Sequence, residues 1–258
     1  MQSKIYRLRE FIHPGNEHSL IVDASAGLSL GPLPGLEQFT LAIQPVLPLV
    51  DGLVVSPGQA GKLSGRTRRD AALLVRVDWT NALRGPDFVL PPDTISHIPL
   101  LTPVDALDLG ASAMVTYFLL GFEEQVEAGC LRNTVQLALE GNKVGMPLIV
   151  DVQAIGPRVV LGSKAVQLGV SYALEGGADG VAVPWTDRES FHIILAMAAG
   201  IPVWIKPSGL DHYLAELGEA LQMGGVGLWL DQQIFLEKDA GAALEKISAQ
   251  IHLQGSET

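Results

Sequence analysis

Short apolar, β-branched runs alternate along this chain with longer stretches whose apolar positions recur every three to four residues. The short runs, at residues 19–23, 52–55, 72–77, 113–117, 147–152, 180–183, 202–205 and 227–230, have the length and composition of buried strands. The longer stretches predict helices over 36–49, 62–71, 103–109, 123–142, 164–175, 187–199, 210–223 and 238–251. Strands that each feed a helix pair in parallel, and eight such units close into one α/β domain, a (β/α)8 TIM barrel. Glycine-containing turns at Asp51-Gly52, Gly145-Met146-Pro147 and Gly177-Ala178-Asp179 fit the helix-to-strand junctions of that plan. An open doubly wound sheet is the rival arrangement of the same units. Residues 1–18 form a separate N-terminal segment with a short helix over 4–12 packed on the barrel, which occupies 19–258. The irregular stretch 79–101, with Pro86, Pro91, Pro92 and Pro99, follows the third strand. It reads either as a lid over the functional mouth or as a surface loop without a role.

Alternation along each strand separates inward from outward side chains. Ile21 and Asp23 point inward on strand one, and Leu74, Arg76 and Asp78 on strand three. Val115 and Tyr117 do so on strand four, and Ile149, Asp151 and Gln153 on strand five. Strand seven supplies Trp204 and Lys206, and strand eight Trp229 and Asp231. Barrel active sites lie at the C-terminal ends of the strands, so four carboxylates, one guanidinium and one amine should share one mouth. Packing a barrel needs far less charge than that.

Six segments follow one another over nearly the whole chain: Arg7-Leu8-Arg9 through Gly15-Asn16, Leu20-Ile21-Val22-Asp23, Gly31-Pro32-Leu33-Pro34-Gly35-Leu36, Gly145-Met146-Pro147-Leu148-Ile149, Gly176-Gly177-Ala178-Asp179 and Ile234-Phe235. In this order they resemble the archaeal-type class I fructose-bisphosphate aldolases. The resemblance implies carbon–carbon lyase or related acyl-transfer chemistry on small phosphorylated sugars through a lysine imine. It also implies a homo-oligomer. The chain departs from that family at the positions that matter most. The imine-forming lysine falls at Ala182, and the proton-transferring tyrosine at Gln153. The phosphate-binding glycine pair falls at Pro207-Ser208, and the glycine-arginine pair at Asp231-Gln232. The strand-one carboxylate is kept as Asp23, but the histidine after it is Ala24.

Three uses of the mouth charges remain open. Lys206 can be a relocated imine-forming lysine with Asp23 or Asp151 moving protons, although carboxylates around it favour the ammonium form. Asp23, Asp78, Asp151 and Asp231 can hold a hard divalent cation such as Mg²⁺. Or the charges pair among themselves, Arg76 with Asp78 or Asp151 and Lys206 with Asp23 or Asp231. The expected catalytic residues are Lys206, Asp23 and Asp151. Substrate contacts are expected from Arg76, Asp78, Tyr117, Gln153, Ser208 and Asp231. No cofactor is expected, a divalent metal being the one alternative. The reading is an aldolase-like lyase for a small carbonyl or sugar-like substrate, with Lys206 as the central cation. Its alternative is a non-catalytic metabolite-binding or assembly subunit.

Composition narrows the partners. The net charge of −11 argues against nucleic acid and anionic membrane surfaces. With 48% apolar and 17% charged residues the chain can bury a core. A lone cysteine, Cys130, excludes an internal disulfide, and no secretory leader is legible, so a cytoplasmic protein is expected. Cys130 reads as a core or helix-surface residue. His13, His18, His97 and His252 read as surface or loop residues. Lys62-Leu63-Ser64-Gly65-Arg66 resembles an anion loop, but its basic residues suit a solvated helix face.

Overall fold

The structure is a computed structural model that describes residues 2–63, 70–209 and 213–253. Helix α1 (Gln2–Leu8) precedes the first barrel strand, β1 (Ser19–Asp23). Then come α2 (Gly27–Leu30), α3 (Phe39–Ile43), a 3₁₀ turn at Leu47–Leu49, β2 (Gly52–Val55), α4 (Pro57–Leu63) and β3 (Ala72–Arg76). A two-stranded arm, β4 (Asp78–Thr80) and β5 (His97–Pro99), leads to α5 (Pro103–Asp108), β6 (Ala113–Leu120), α6 (Glu124–Val144) and β7 (Leu148–Ala154). The chain continues through α7 (Gly162–Glu175), β8 (Gly180–Pro184), α8 (Arg188–Ala198), β9 (Val203–Lys206), α9 (Tyr213–Met223), β10 (Gly227–Leu230), a 3₁₀ turn at Gln232–Leu236 and α10 (Ala240–Leu253). The barrel closes in the order β1-β10-β9-β8-β7-β6-β3-β2, with every pair parallel. The (β/α)8 barrel is therefore the fold, and the open sheet is excluded by the β1–β10 pairing.

Two apolar layers follow from the alternation. Ile21, Val54, Leu74, Val115, Ile149, Ala182, Trp204 and Trp229 fill the barrel interior, while Leu20, Val22, Leu53, Val75, Met114, Val150, Val181 and Ile205 face the helices. Trp204 fits because its neighbouring strand carries Gly180, where a Cβ would lie 2.9 Å from the indole ring. After α1 the chain turns Phe11 into the barrel floor, where its ring stacks on Trp204 at 5.9 Å between centroids. Lys4 ties α1 to the bottom of the barrel through a 2.7 Å bridge to Asp179.

The helices predicted at 36–49 and 62–71 differ from those observed. Pro45 and Pro48 remove amide donors from the first, which breaks into α3 and the 3₁₀ turn. The second begins earlier, at Pro57, and residues 64–69 of the predicted stretch lie outside the described residues. The initial helix ends at Leu8 rather than Ile12. The stretch after strand three is not structureless: it folds back through β4 and β5. The Trp79 indole N–H and the Arg84 guanidinium bind the Leu28 and Ser29 carbonyls of α2. Among the described residues no helix is long and apolar enough to cross a membrane.

Candidate active site

The C-terminal ends of β1, β3, β6, β7 and β9 bring one charge cluster together. Register fixes the geometry: Asp151 on β7 pairs with Ala182 on β8, which pairs with Trp204 on β9, and Pro184 pairs with Lys206. Lys206 lies one inward position beyond Trp204, and its amine reaches back across β8 to donate to Asp151 Oδ1 at 2.8 Å. Two strand spacings amount to roughly 9.5 Å, which a long side chain bridges only if the residue between them is small. Ala182, buried in the interior layer, meets that need. Ala182 thus lies in the path by which the Lys206 amine from the next strand reaches the Asp151 carboxylate.

Arg76 is the hub. Its Nη2 donates to Asp23 Oδ2 at 2.5 Å and to Asp151 Oδ2 at 3.1 Å, its Nε donates to Ser25 Oγ at 3.2 Å, and its Cζ sits 3.7 Å above the Tyr117 ring. Ser25 returns its hydroxyl and its amide N–H to Asp23 Oδ1. Gln153 Nε2 adds a second donor to Asp151 Oδ1 at 2.8 Å. Burial of the guanidinium works against its charge, but the field of Tyr117, Asp23, Asp151 and Asp78 outweighs it, and the Arg76 pKa is raised. Burial pushes the Tyr117 phenol well above its ordinary value despite the opposing effect of Arg76. For Asp151 burial favours the neutral acid, yet Lys206 and Arg76 prevail and hold it below the usual carboxylate range.

A cavity of about 390 Å³ opens above this cluster. Asp23, Tyr117, Asp151, Gln153, Lys206, Ser208 and Asp231 all line it, with Trp185, Trp229 and Leu83 of the arm as apolar walls. Lys206 exposes 19% of its side chain, against 1% for Asp151 and for Arg76, so of the three Lys206 is the most open to the cavity. Arg76 lies behind the cavity wall rather than in it.

Asp78 is the misplaced residue. The barrel strand ends at Arg76, Val77 takes the Val115 carbonyl, and β4 departs to pair with β5, so alternation does not carry through. The Asp78 carboxylate turns outward and accepts from Thr116 Oγ1, the Tyr117 amide and His97 Nε2, the last at 2.6 Å. His97, expected as a surface or loop residue, lies on the β5 arm with its side chain covered, and its Nδ1 lies 3.3 Å from Cys130 Sγ on α6. Burial disfavours the charged ring, but the hydrogen bonds to Asp78 and Cys130 override it and push His97 up to about 10. Asp78 is committed there and Asp23 and Asp151 are both on Arg76, so the four aspartates of the alternative cation reading are not gathered into one group. No group of three or more metal-ligating side chains occurs among the described residues. His212, which the sequence places on the seventh helix near the loop after strand seven, lies outside the described residues.

Sequence reasoning missed Ser25 and Glu216. Ser25 had a local signal, since a serine two residues after an aspartate can return its amide and hydroxyl to that carboxylate. Glu216 had none. It comes from α9, and its carboxylate receives the Ser208 amide at 2.9 Å and the Ser208 hydroxyl at 2.5 Å. Asp231 caps the 3₁₀ turn at Gln232–Leu236, accepting from the Gln233 amide at 2.8 Å.

The closed parallel barrel therefore carries a lysine and two linked carboxylates at its C-terminal mouth. No family model matches the chain. An uncharacterized aldolase of Saccharolobus solfataricus is 28% identical over 246 residues, covering 91% of this chain and 89% of that protein. The 3-hydroxy-5-phosphonooxypentane-2,4-dione thiolase of Yersinia enterocolitica is 24% identical, covering 98% of this chain and 82% of that protein. An archaeal fructose-1,6-bisphosphate aldolase, solved with its catalytic lysine covalently bound to a carbinolamine intermediate, superimposes with a TM-score of 0.79. It is 20% identical and covers 96% of this chain and 99% of its own. In fold the chain is similar to an archaeal class I aldolase, and in sequence, over more than 90% of its length, to the aldolase and thiolase relatives.

Proposed function

We propose that this chain is a carbon–carbon lyase acting on a small carbonyl or sugar-like compound, with Lys206 as its central cation and nucleophile. The observation that carries the reading is the position of the Lys206 amine. It faces the cavity and is held by Asp151 opposite the alanine that stands at the family's lysine position. In this scheme the amine, once deprotonated, adds to the substrate carbonyl and loses water to give a protonated imine. Cleavage then breaks the bond between the α-carbon and the hydroxyl-bearing carbon. The hydroxyl proton passes to Asp23, and the bonding pair is drawn into the imine to form an enamine. Reprotonation at the α-carbon and hydrolysis return the amine. Asp151 orients Lys206, and Arg76 offsets both carboxylates so that they support the ammonium form less strongly. Carbonyl compounds are also what the thiolase and fructose-bisphosphate aldolase relatives act on by name.

Borohydride with a panel of small ketones and ketose phosphates tests this. A reduced adduct should form on Lys206, and Lys206→Ala should abolish it, while Asp23→Asn should slow turnover and leave the adduct detectable. A second reading has its own support: two cations and two carboxylates already satisfy one another in the cluster. Such a site suits a metabolite-binding or assembly subunit. Absence of any adduct across roughly pH 6 to 9 would select it.

A further inference from the structure

The rim of the cavity formed by the ends of β9 and β10 adjoins Lys206, and its Ser208 and Gln233 backbone donors are already taken. Pro207, immediately after Lys206, has no amide hydrogen, and neither has Pro184 on the neighbouring strand. The next donors, the amide and hydroxyl of Ser208, are both bound by the Glu216 carboxylate. The Gln233 amide is bound by Asp231. Two carboxylates of the chain's own thus occupy the positions at which an anion would accept. Of the cations nearby, Lys206 is paired with Asp151 and Arg76 lies behind the wall. What this rim still offers is an uncompensated carboxylate oxygen beside neutral amide side chains. Among the described residues Asp231 Oδ2 has no partner, and Gln232 and Gln233 line the same cavity.

From this we infer that Glu216 and Asp231 set the substrate class: the end of the substrate remote from the reacting carbonyl carries hydroxyl groups and no phosphate. A phosphate dianion would meet like charge where the Ser208 and Gln233 backbone donors are taken, whereas a hydroxyl can donate to Asp231 and accept from a glutamine side-chain amide. The inference rests on the lyase reading for what occupies the cavity, but its first test needs no turnover.

Titrate inorganic phosphate into the full chain and into a Glu216→Ala/Asp231→Asn double variant, following binding by calorimetry. The alanine frees the Ser208 amide and hydroxyl, and the asparagine removes charge while still capping the Gln233 amide. The wild type should show no saturable binding at millimolar phosphate, and the variant should bind at least about tenfold more tightly. If the double variant fails to fold, each single substitution should show part of the gain. A second arm compares borohydride adducts from dihydroxyacetone and dihydroxyacetone phosphate, which should favour the unphosphorylated ketone in the wild type and shift towards the phosphate ester in the variant. Saturable phosphate binding by the wild type, or folded variants that gain none, overturns the inference. Failure of every adduct with phosphate still excluded would end the lyase reading and leave the charge-based selection standing. Adduct formation together with phosphate binding would do the reverse.

Discussion

Arg76→Met is the perturbation that most directly tests how the charge cluster is held. Methionine keeps much of the arginine stem's volume but leaves Asp23 and Asp151 without their shared guanidinium, at contacts now of 2.5 and 3.1 Å. Asp151 retains Lys206 and Gln153, whereas Asp23 retains only Ser25. Removing one partner from a buried ion pair costs about 3–5 kcal/mol. With Lys206 relieving one of the two stranded carboxylates, we expect about 3 kcal/mol at neutral pH, near the low end of that range. At about 2–4 °C per kcal/mol for a chain of this size, Tm should fall by about 6–12 °C. The pH dependence gives the sharper test. In the wild type the depressed Asp151 pKa contributes stability that is present above the unfolded carboxylate value and lost as pH falls through the folded one. In the variant the stranded carboxylates take up protons more readily, so acidification relieves them. The gap between the two proteins should therefore narrow from about pH 7 to about pH 5 in urea unfolding followed by circular dichroism. A penalty below about 1 kcal/mol, or one that stays constant with pH, would refute the idea that Arg76 neutralises two buried carboxylates.

The remaining expectations are these. His97, raised to about 10 in the folded protein from an ordinary value near 6.5, contributes stability that is complete below about 6.5 and lost as pH rises through about 10. His97→Gln should flatten that alkaline decline, and an unchanged profile would mean that the Asp78 pairing is not formed in solution. Millimolar Mg²⁺ or Mn²⁺ should leave Tm unchanged because the Arg76 and His97 side chains already occupy Asp23, Asp151 and Asp78. A rise reversed by EDTA would count against the cluster as described. Gly180→Ala should destabilise the barrel by roughly 1–3 kcal/mol in urea unfolding, since the new methyl would sit 2.8 Å from Ile149 and 2.9 Å from Trp204. A neutral result would mean the interior has room that the packing does not suggest.

The sequence by itself determined the barrel and the residues that face its axis. Parallel strands buried on both faces must be short apolar runs, and their period of two places Ile21, Leu74, Val115, Ile149, Trp204 and Trp229 inward wherever the strand continues. The same rule put Asp23, Asp151 and Lys206 at one mouth, because inward residues one step beyond the core share the C-terminal end. It failed at Asp78, one residue after the chain left the barrel, since alternation has meaning only while the ladder persists. Helix ends and breaks near Pro45 and Pro48 were legible as proline chemistry, yet the hydrophobic period ran through them. Partnerships between distant residues were decided only by the tertiary structure. Nothing local in Glu216 says that it will bind Ser208, nor in His97 that it will lie between Asp78 and Cys130. Such pairings depend on which helix packs over which strand end. Side-chain hydrogen bonds act over about 3 Å, whereas the sequence pattern specifies only which face of an element is buried. Closure of the barrel turns those faces into specific neighbours, and with them sets the charges of the site.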